Sequence, residues 1–278
     1  MTDPLARVER ATGVPGLAEL LAERLTTSDL TSLLLEVTRR RAARLEPRDV
    51  LAQYERDRFV RPAEDAERLA ELEQAALSLV PEDFERLELS PLAPLGSGSA
   101  LAGVSQDWAV ATVRGSEVVA DVTTVLAVEA AVSRRQWRDE VKLCACERVV
   151  RPQASSDPVR LAHFRLLGLC TAGRGERWLE WETRNATEHL TFYWRLLQRL
   201  GATDVEIRLG GGLELEIAAT QHAQERPYYT GGWFSIDVGG ANVVDGGFVD
   251  WTQKLLSDRK ERCLISGAGI ERLAAVAE

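Results

Sequence analysis

The sequence predicts an α+β fold, a mainly antiparallel sheet flanked by helices, with a helical extension ahead of it. Three observations predict it. Residues 1–61 show helical periodicity only. Short alternating or continuously apolar runs then dominate the middle of the chain, bounded by Gly, Pro, Ser and Asp clusters. Two of these runs, 141–152 and 160–169, are joined by Gln153-Ala-Ser-Ser-Asp-Pro158, which reads as a hairpin, and short turns join antiparallel strands.

The elements follow in order. Leu17, Leu20, Leu21 and Leu25 recur at helical spacing, and Thr26-Thr-Ser-Asp29 is a cap signal for a second helix running from Leu30 toward Arg44. Pro47 opens a third helix through Leu51 and Tyr54. Pro62 is expected to open the next, with Leu69, Leu72, Ala76, Leu77 and Val80 on one stripe and Pro81 as its end. The stretch 84–91 alternates like a strand, Gly96-Ser-Gly-Ser99 reads as a loop, 108–114 as a strand and 121–135 as a helix. Past the hairpin come a helix over 182–200 stopped by Gly201, strands over 205–209, 213–218 and 233–238, and a helical 250–256. A strand over 263–266 runs through Gly267-Ala-Gly269 into a last helix. The expected division is a helical extension over 1–61 and a core over 62–278.

Composition narrows the function classes. A chain of 278 residues with 45% hydrophobic and 28% charged residues has the balance of a soluble globular protein with a sizeable core. Its net charge of −9 opposes broad nucleic-acid binding, which depends on Lys and Arg neutralising phosphates. Arg39, Arg40, Arg41 and Arg44 form the best basic cluster and read as a solvated helix face, with a local RNA contact as the alternative. No apolar run reaches bilayer-spanning length, and the first twenty residues carry early acids rather than a secretory h-region. The expectation is a cytoplasmic protein without a membrane partner, whose four cysteines are reduced thiols. Three histidines are too few for a histidine-rich metal enzyme.

Three segments, taken in order, resemble the signature motifs of the class II aminoacyl-tRNA synthetase catalytic core, nearest to histidyl-tRNA synthetase and the regulatory subunit of ATP phosphoribosyltransferase. Helix 62–80 with strand 84–91 ending in Pro91 is similar to the first motif, which in the family builds a dimer interface. Cys146-Glu-Arg-Val-Val-Arg-Pro-Gln153 resembles the Phe-Arg-x-Glu strand followed by Arg-Pro-Gln, and His163-Phe-Arg-Leu-Leu-Gly168 resembles the returning strand. Ile265-Ser-Gly-Ala-Gly-Ile-Glu-Arg-Leu273 is similar to the Gly-x-Gly-x-Glu-Arg strand-to-helix motif. Tyr228-Tyr-Thr-Gly231, Gly246-Gly-Phe-Val-Asp250 and Ala120-Asp-Val-Thr123 add likenesses to the histidyl branch and its regulatory paralogue. The resemblance covers about residues 62–278.

What the resemblance implies is specific. Arg148 would neutralise an ATP α-phosphate and Phe164 would lie under adenine. Gly267 and Gly269 would let ATP approach the backbone, with Glu271 beside them and Arg272 at the γ-phosphate. Asp121, Thr123, Cys170, Tyr228 and Tyr229 would line the pocket of an amino or small carboxylic acid, activated as an acyl-adenylate with Mg²⁺. A turn near Ser156 would put even-numbered residues of both hairpin strands on one face, joining Arg148 to Phe164, and Cys144 and Cys146 to Cys170.

Several departures shape the expectation. Val150 stands at the glutamate of the second motif, and Cys170 at a glutamate that contacts the substrate amino group. Gln224-Glu-Arg-Pro227 replaces the histidine-recognising Arg-Gly-Leu-Asp, and six residues after Arg272 leave no room for an anticodon module. These differences oppose a histidine-specific synthetase. They leave an adenylate-forming ligase with an unknown acyl acceptor, or a regulatory ligand sensor with a partner enzyme, in either case a homodimer by resemblance. An RNA-binding paralogue is a third reading. No metal site is expected, core packing being preferred to Zn²⁺ for the thiols.

Overall fold

The structure is a computed structural model that describes residues 3–57, 60–62, 65–136, 139–152, 162–176, 179–224 and 226–277. The chain begins with α1 (Pro4–Thr12), α2 (Leu17–Glu19) followed by a π turn (Leu20–Arg24), α3 (Thr27–Ala42) and α4 (Pro47–Arg56). Thr26 caps α3 by accepting from the Asp29 amide at 3.1 Å, and Pro47 supplies the fixed φ of the first turn of α4. These helices contain no buried residue among those described, so Leu5, Val8, Leu33, Val37 and Leu51 stay at the surface.

Helix α5 (Ala66–Leu79) starts at Asp65, whose carboxylate accepts from the Arg68 amide, rather than at Pro62. Its buried stripe is Leu69, Leu72 and Ala76, as the spacing predicts. The strand expected over 84–91 contracts to β1 (Glu85–Arg86), because the Glu147 carboxylate takes the Leu89 amide at 2.6 Å in place of a ladder partner. β2 (Leu92–Pro94) and β3 (Ser116–Val118) form a small separate pair. Residues 108–114 are not a strand. Here the buried Glu117 carboxylate gathers the Gly96 and Gly98 amides and the Gln106 side chain, and a short 3₁₀ turn (Gln106–Trp108) results.

The remaining elements build the main sheet. They are α6 (Val122–Gln136), β4 (Val141–Val150), β5 (His163–Arg174), α7 (Glu180–Arg199), β6 (Val205–Gly210), β7 (Thr220–His222), β8 (Trp233–Val238), β9 (Ala241–Val249), α8 (Trp251–Leu256), β10 (Glu261–Gly269) and α9 (Ile270–Val276). Strand order is β1-β4-β5-β10-β9-β8-β6-β7, antiparallel except at β1–β4 and β6–β7. β9 was absent from the sequence expectation because Gly246-Gly247 breaks its β-propensity. The strand expected over 213–218 is replaced by the three-residue β7.

Side-chain alternation gives the sheet two dry faces. The back face packs Cys144, Leu167, Leu169, Phe234, Ile236, Val244 and Leu264 against α5, α7 and α9. The front face packs Leu143, Ala145, Cys170, Cys263 and Ile265 against Val122, Leu126, Ala127 and Ala130 of α6 and Trp251 of α8. A buried ion pair, Arg134–Glu261 at 2.8 Å with a second hydrogen bond at 3.0 Å, fixes α6 to β10.

Within the back layer His189 is fully buried. Its ring nitrogens meet Thr171 Oγ1 at 2.9 Å and Ser266 Oγ at 2.8 Å, and Ser266 in turn donates to Tyr193 Oη. Burial, aided by Lys142, lowers the imidazole pKa to about 3. The unfolded chain takes up a proton near pH 6.5 that the folded chain refuses until near pH 3, so His189 contributes stability above that window and loses it as pH falls. Urea titrations from pH 6.5 to 4 are expected to show a loss of about 1.4 kcal/mol per pH unit from this group. The His189→Gln variant should lack that share of the slope.

Candidate functional site

Three elements converge at the open end of the front face. Immediately before α6, Asp121 Oδ1 accepts from the Thr123 amide at 2.9 Å and from Thr123 Oγ1 at 2.7 Å, which closes the first turn of the helix. This turn rests on Gly168 of β5, where an added Cβ would meet Val122 Cγ1 at 3.0 Å and Thr123 Cγ2 at 3.3 Å. Glycine at 168 therefore sets how closely α6 approaches the sheet.

The hairpin register decides which side chains reach this place. Arg148 pairs with Arg165, Val149 with Phe164 and Val150 with His163. Directly paired residues share a face, so Arg148 and Phe164 lie on opposite sides of the sheet, against the expectation. The register of the two strands differs by one residue from the expected pairing, and one residue of slip changes which side chains share a face. The guanidinium beside Phe164 belongs to Arg151, 5.1 Å from the ring centroid. Arg151 Nε donates to the Ala120 carbonyl at 2.8 Å, and a terminal nitrogen lies 3.4 Å from Asp121. Residues 153–161, including the expected Gln153 and the turn, lie outside the described residues.

Phe164 continues toward the third motif. An added Cβ at Gly269 would sit 3.7 Å from Phe164 Cδ2 and 3.8 Å from Arg272 Cγ, so the aromatic ring and the Arg272 stem flank this glycine. Arg272 is exposed and donates to the Asn242 carbonyl at 3.2 Å. Gly267 pairs with Gly168 on one side and Asp245 on the other, and a Cβ added to it would meet Leu166 Cδ1 at 3.4 Å. Glu271 turns the other way. Its carboxylate accepts from the Arg165 amide at 2.9 Å and lies 3.4 Å from Arg148, on the back face.

The tyrosines close the front wall. Tyr228 meets Tyr229 and Trp251 edge-on, at centroid distances of 5.1 and 5.9 Å. Burial and the neighbouring Asp121 raise the Tyr228 pKa, opposed by Arg151 and Thr123. Tyr229 reaches Asp245, and burial raises its pKa as well. Burial also raises the Asp245 pKa, opposed by Arg226, which donates to Asp245 and to Ser235 and lies 3.9 Å from the Trp233 ring centroid. Sequence reasoning missed Arg151, Arg226 and Asp245. Arg151 stood in the quoted Arg-Pro-Gln and Arg226 in the segment judged to lack the family's recognition motif.

Cys170 lines no open space. It is fully buried under α6, with its sulfur 3.7 Å from that of Cys263. Cys144 and Cys146 lie on the back face, so the expected grouping of Cys144, Cys146 and Cys170 does not form. Burial pushes the Cys144 thiol up to about 12 and raises Cys146, while the hydrogen bond with Cys170, followed by burial, raises Cys263. Among the described residues no three His, Cys, Asp or Glu side chains group as metal ligands.

The core has the fold of the class II aminoacyl-tRNA synthetases. A pyrrolysyl-tRNA synthetase from Desulfitobacterium hafniense superposes with a TM-score of 0.58 at 15% identity, covering 82% of this chain and 74% of that one. An ATP phosphoribosyltransferase regulatory subunit/histidyl-tRNA synthetase from Bacillus halodurans gives 0.59 at 12% identity, over 78% and 81% of the two chains. A histidine–tRNA ligase subunit from Alicyclobacillus acidocaldarius gives 0.61 at 14%, over 78% and 94%. No protein-family profile matches the sequence. No curated protein matches it significantly.

Gly247 tests how the front wall is seated. An added Cβ would lie 2.7 Å from Tyr229 Cγ and Cδ1. Gly247→Ala is expected to displace the ring and cost about 1–3 kcal/mol in chemical denaturation, the usual range for overpacking.

Proposed function

We propose that this chain activates an amino or other small carboxylic acid with ATP, forming an acyl-adenylate on the front face of the sheet. The reading is supported above all by one juxtaposition: Arg151 over the Phe164 ring, with Phe164 and the Arg272 stem flanking Gly269. Phe164 offers a ring for a purine to stack on, in the place Arg151 now covers. The glycines let phosphates approach the strand, and two guanidiniums can bind phosphate oxygens as charge-assisted donors. A carboxylate oxygen of the acid attacks the α-phosphorus, the bond to the bridging oxygen of the β-phosphate breaks, and pyrophosphate leaves. Arg151, in place of Arg148, neutralises the charge that develops there. Arg272 holds the departing end.

Mg²⁺ bound by the nucleotide would supply further neutralisation of the phosphates. Such an ion takes most of its ligands from phosphate and water, and Asp245 and Asp121 are carboxylates on this face that could add one. Thr123, Tyr228 and Tyr229 would border the acid, and Arg226, held by Asp245, stands ready for its carboxylate. The acyl acceptor is proposed to be something other than an anticodon-read tRNA. Residues 1–61 are proposed as a helical extension to the core over 62–278, with dimerisation through the α5–β1 region and a cytoplasmic location. No helix among the described residues is long and apolar enough to cross a membrane.

A second reading, a regulatory ligand sensor with a partner enzyme, draws on a specific observation. Arg151 is tethered to Asp121 and Ala120, and no carboxylate replaces the buried Cys170. A protein of this kind would bind the acid without turnover.

Pyrophosphate exchange across a panel of amino and small carboxylic acids tests the proposal. At least one acid is expected to support exchange. Arg151→Ala should lower it about 10²–10³-fold, the range for removing one transition-state donor, whereas Arg148→Ala should leave it near the wild-type rate. Calorimetric binding without exchange would replace the ligase reading with the sensor.

A further inference from the structure

The back face of the same hairpin carries cations that the adenylate reading does not use. Arg148 and Arg165 are directly paired across β4 and β5 and point to the same side. Like charges in this position destabilise a sheet. They border a cleft of about 410 Å³ beneath the start of α5, closed by Arg61 and His163 and by apolar Val60 and Leu69. Every charged side chain lining the cleft among the described residues is basic, in a chain whose net charge is −9.

The cations are held in place from outside the cleft. Glu73 pairs with Arg165, and Glu271 lies 3.4 Å from Arg148 while its oxygens take the Arg165 amide. His163 Nδ1 is 3.0 Å from Arg148 Nη1, and since a guanidinium only donates, this ring nitrogen accepts. The other ring nitrogen then donates to the Arg61 carbonyl. The imidazole thus ties two arginines together. Arg148 and Arg165 remain about one-third exposed, with guanidinium donors still free of these contacts.

We infer that this cleft is a binding site for a small oxyanion, a carboxylate or phosphate carried on a compact apolar body. The anion would sit between Arg148 and Arg165 and relieve their repulsion, with Arg61, whose guanidinium lies over the Tyr54 ring, at the rim. Its body would lie against Val60 and Leu69. The volume falls within the range of small-molecule pockets. The site is separated from the adenylate site by the thickness of the sheet and does not depend on it.

Phenyl phosphate and benzoate are suitable probes, titrated calorimetrically into the full chain at low salt. Saturable binding of at least one is expected, and which one binds identifies the anion. Arg61→Gln and Arg148→Gln should each weaken it at least tenfold, and Arg151→Ala should leave it unchanged. Thermal melts of each variant confirm folding, and Arg61→Gln, at the end of an exposed segment, keeps the test informative if Arg148→Gln unfolds. The inference is overturned if neither probe saturates, or if affinity follows Arg151 and is indifferent to Arg61 and Arg148. Since exchange activity reports on the front face alone, its absence would leave this result standing.

Discussion

Ten residues of β4 lie against β5 with Arg148 opposite Arg165 and Val149 opposite Phe164. This register governs what each side of the protein can do. On the front it joins Arg151 to Phe164, Asp121 and Gly269. On the back it stacks Arg148, His163 and Arg165 against the start of α5. Moving β5 by one residue would turn His163 and Arg165 to the front, toward α6, where Val122, Leu126 and Ala127 offer the guanidinium no partner. The packing of α6 and of α5 on opposite faces therefore holds the register as firmly as the ladder hydrogen bonds do.

Glycine recurs wherever the sheet approaches something else. Gly168 admits the α6 turn, Gly247 admits Tyr229, and Gly269 lies between Phe164 and the Arg272 stem. Each site lacks a side chain where a neighbour or ligand needs room. Charge follows a similar division of labour. Arg134 is spent on Glu261 inside the protein, where the pair fixes a helix and has no access to solutes. Arg151, Arg226 and Arg272 are only partly engaged at the front surface and retain donors that can turn to a ligand.

Much of the fold was legible because long periodic segments override local detail. The stripe Leu69–Leu72–Ala76, the hairpin runs and the strand over 233–238 stand where the sequence pattern puts them. The elements that escaped did so for local chemical reasons. Glu117 captured the backbone around Gly96 and prevented a strand, and Gly246-Gly247 hid β9. The candidate site was legible in residue types more than in geometry. Arg151 links Phe164 to Asp121, and Phe164 and Arg272 flank Gly269, yet Arg148 faces away because alternation along a strand does not set its register against the next. Cys170 is a packing residue beside Cys263, and a position in a motif carries no information about the helix that covers it.

The paired glycines of β9 have one more mechanical effect. Phe234 presses on the strand at Gly246 from behind, while Tyr229 presses at Gly247 from the front. With no side chains of its own between them, the strand is a partition a single peptide thick, gripped by an aromatic ring on either side. A ligand that shifts Tyr229 therefore acts on a strand against which Phe234 leans from the other side, and Phe234 belongs to the core packed with α7.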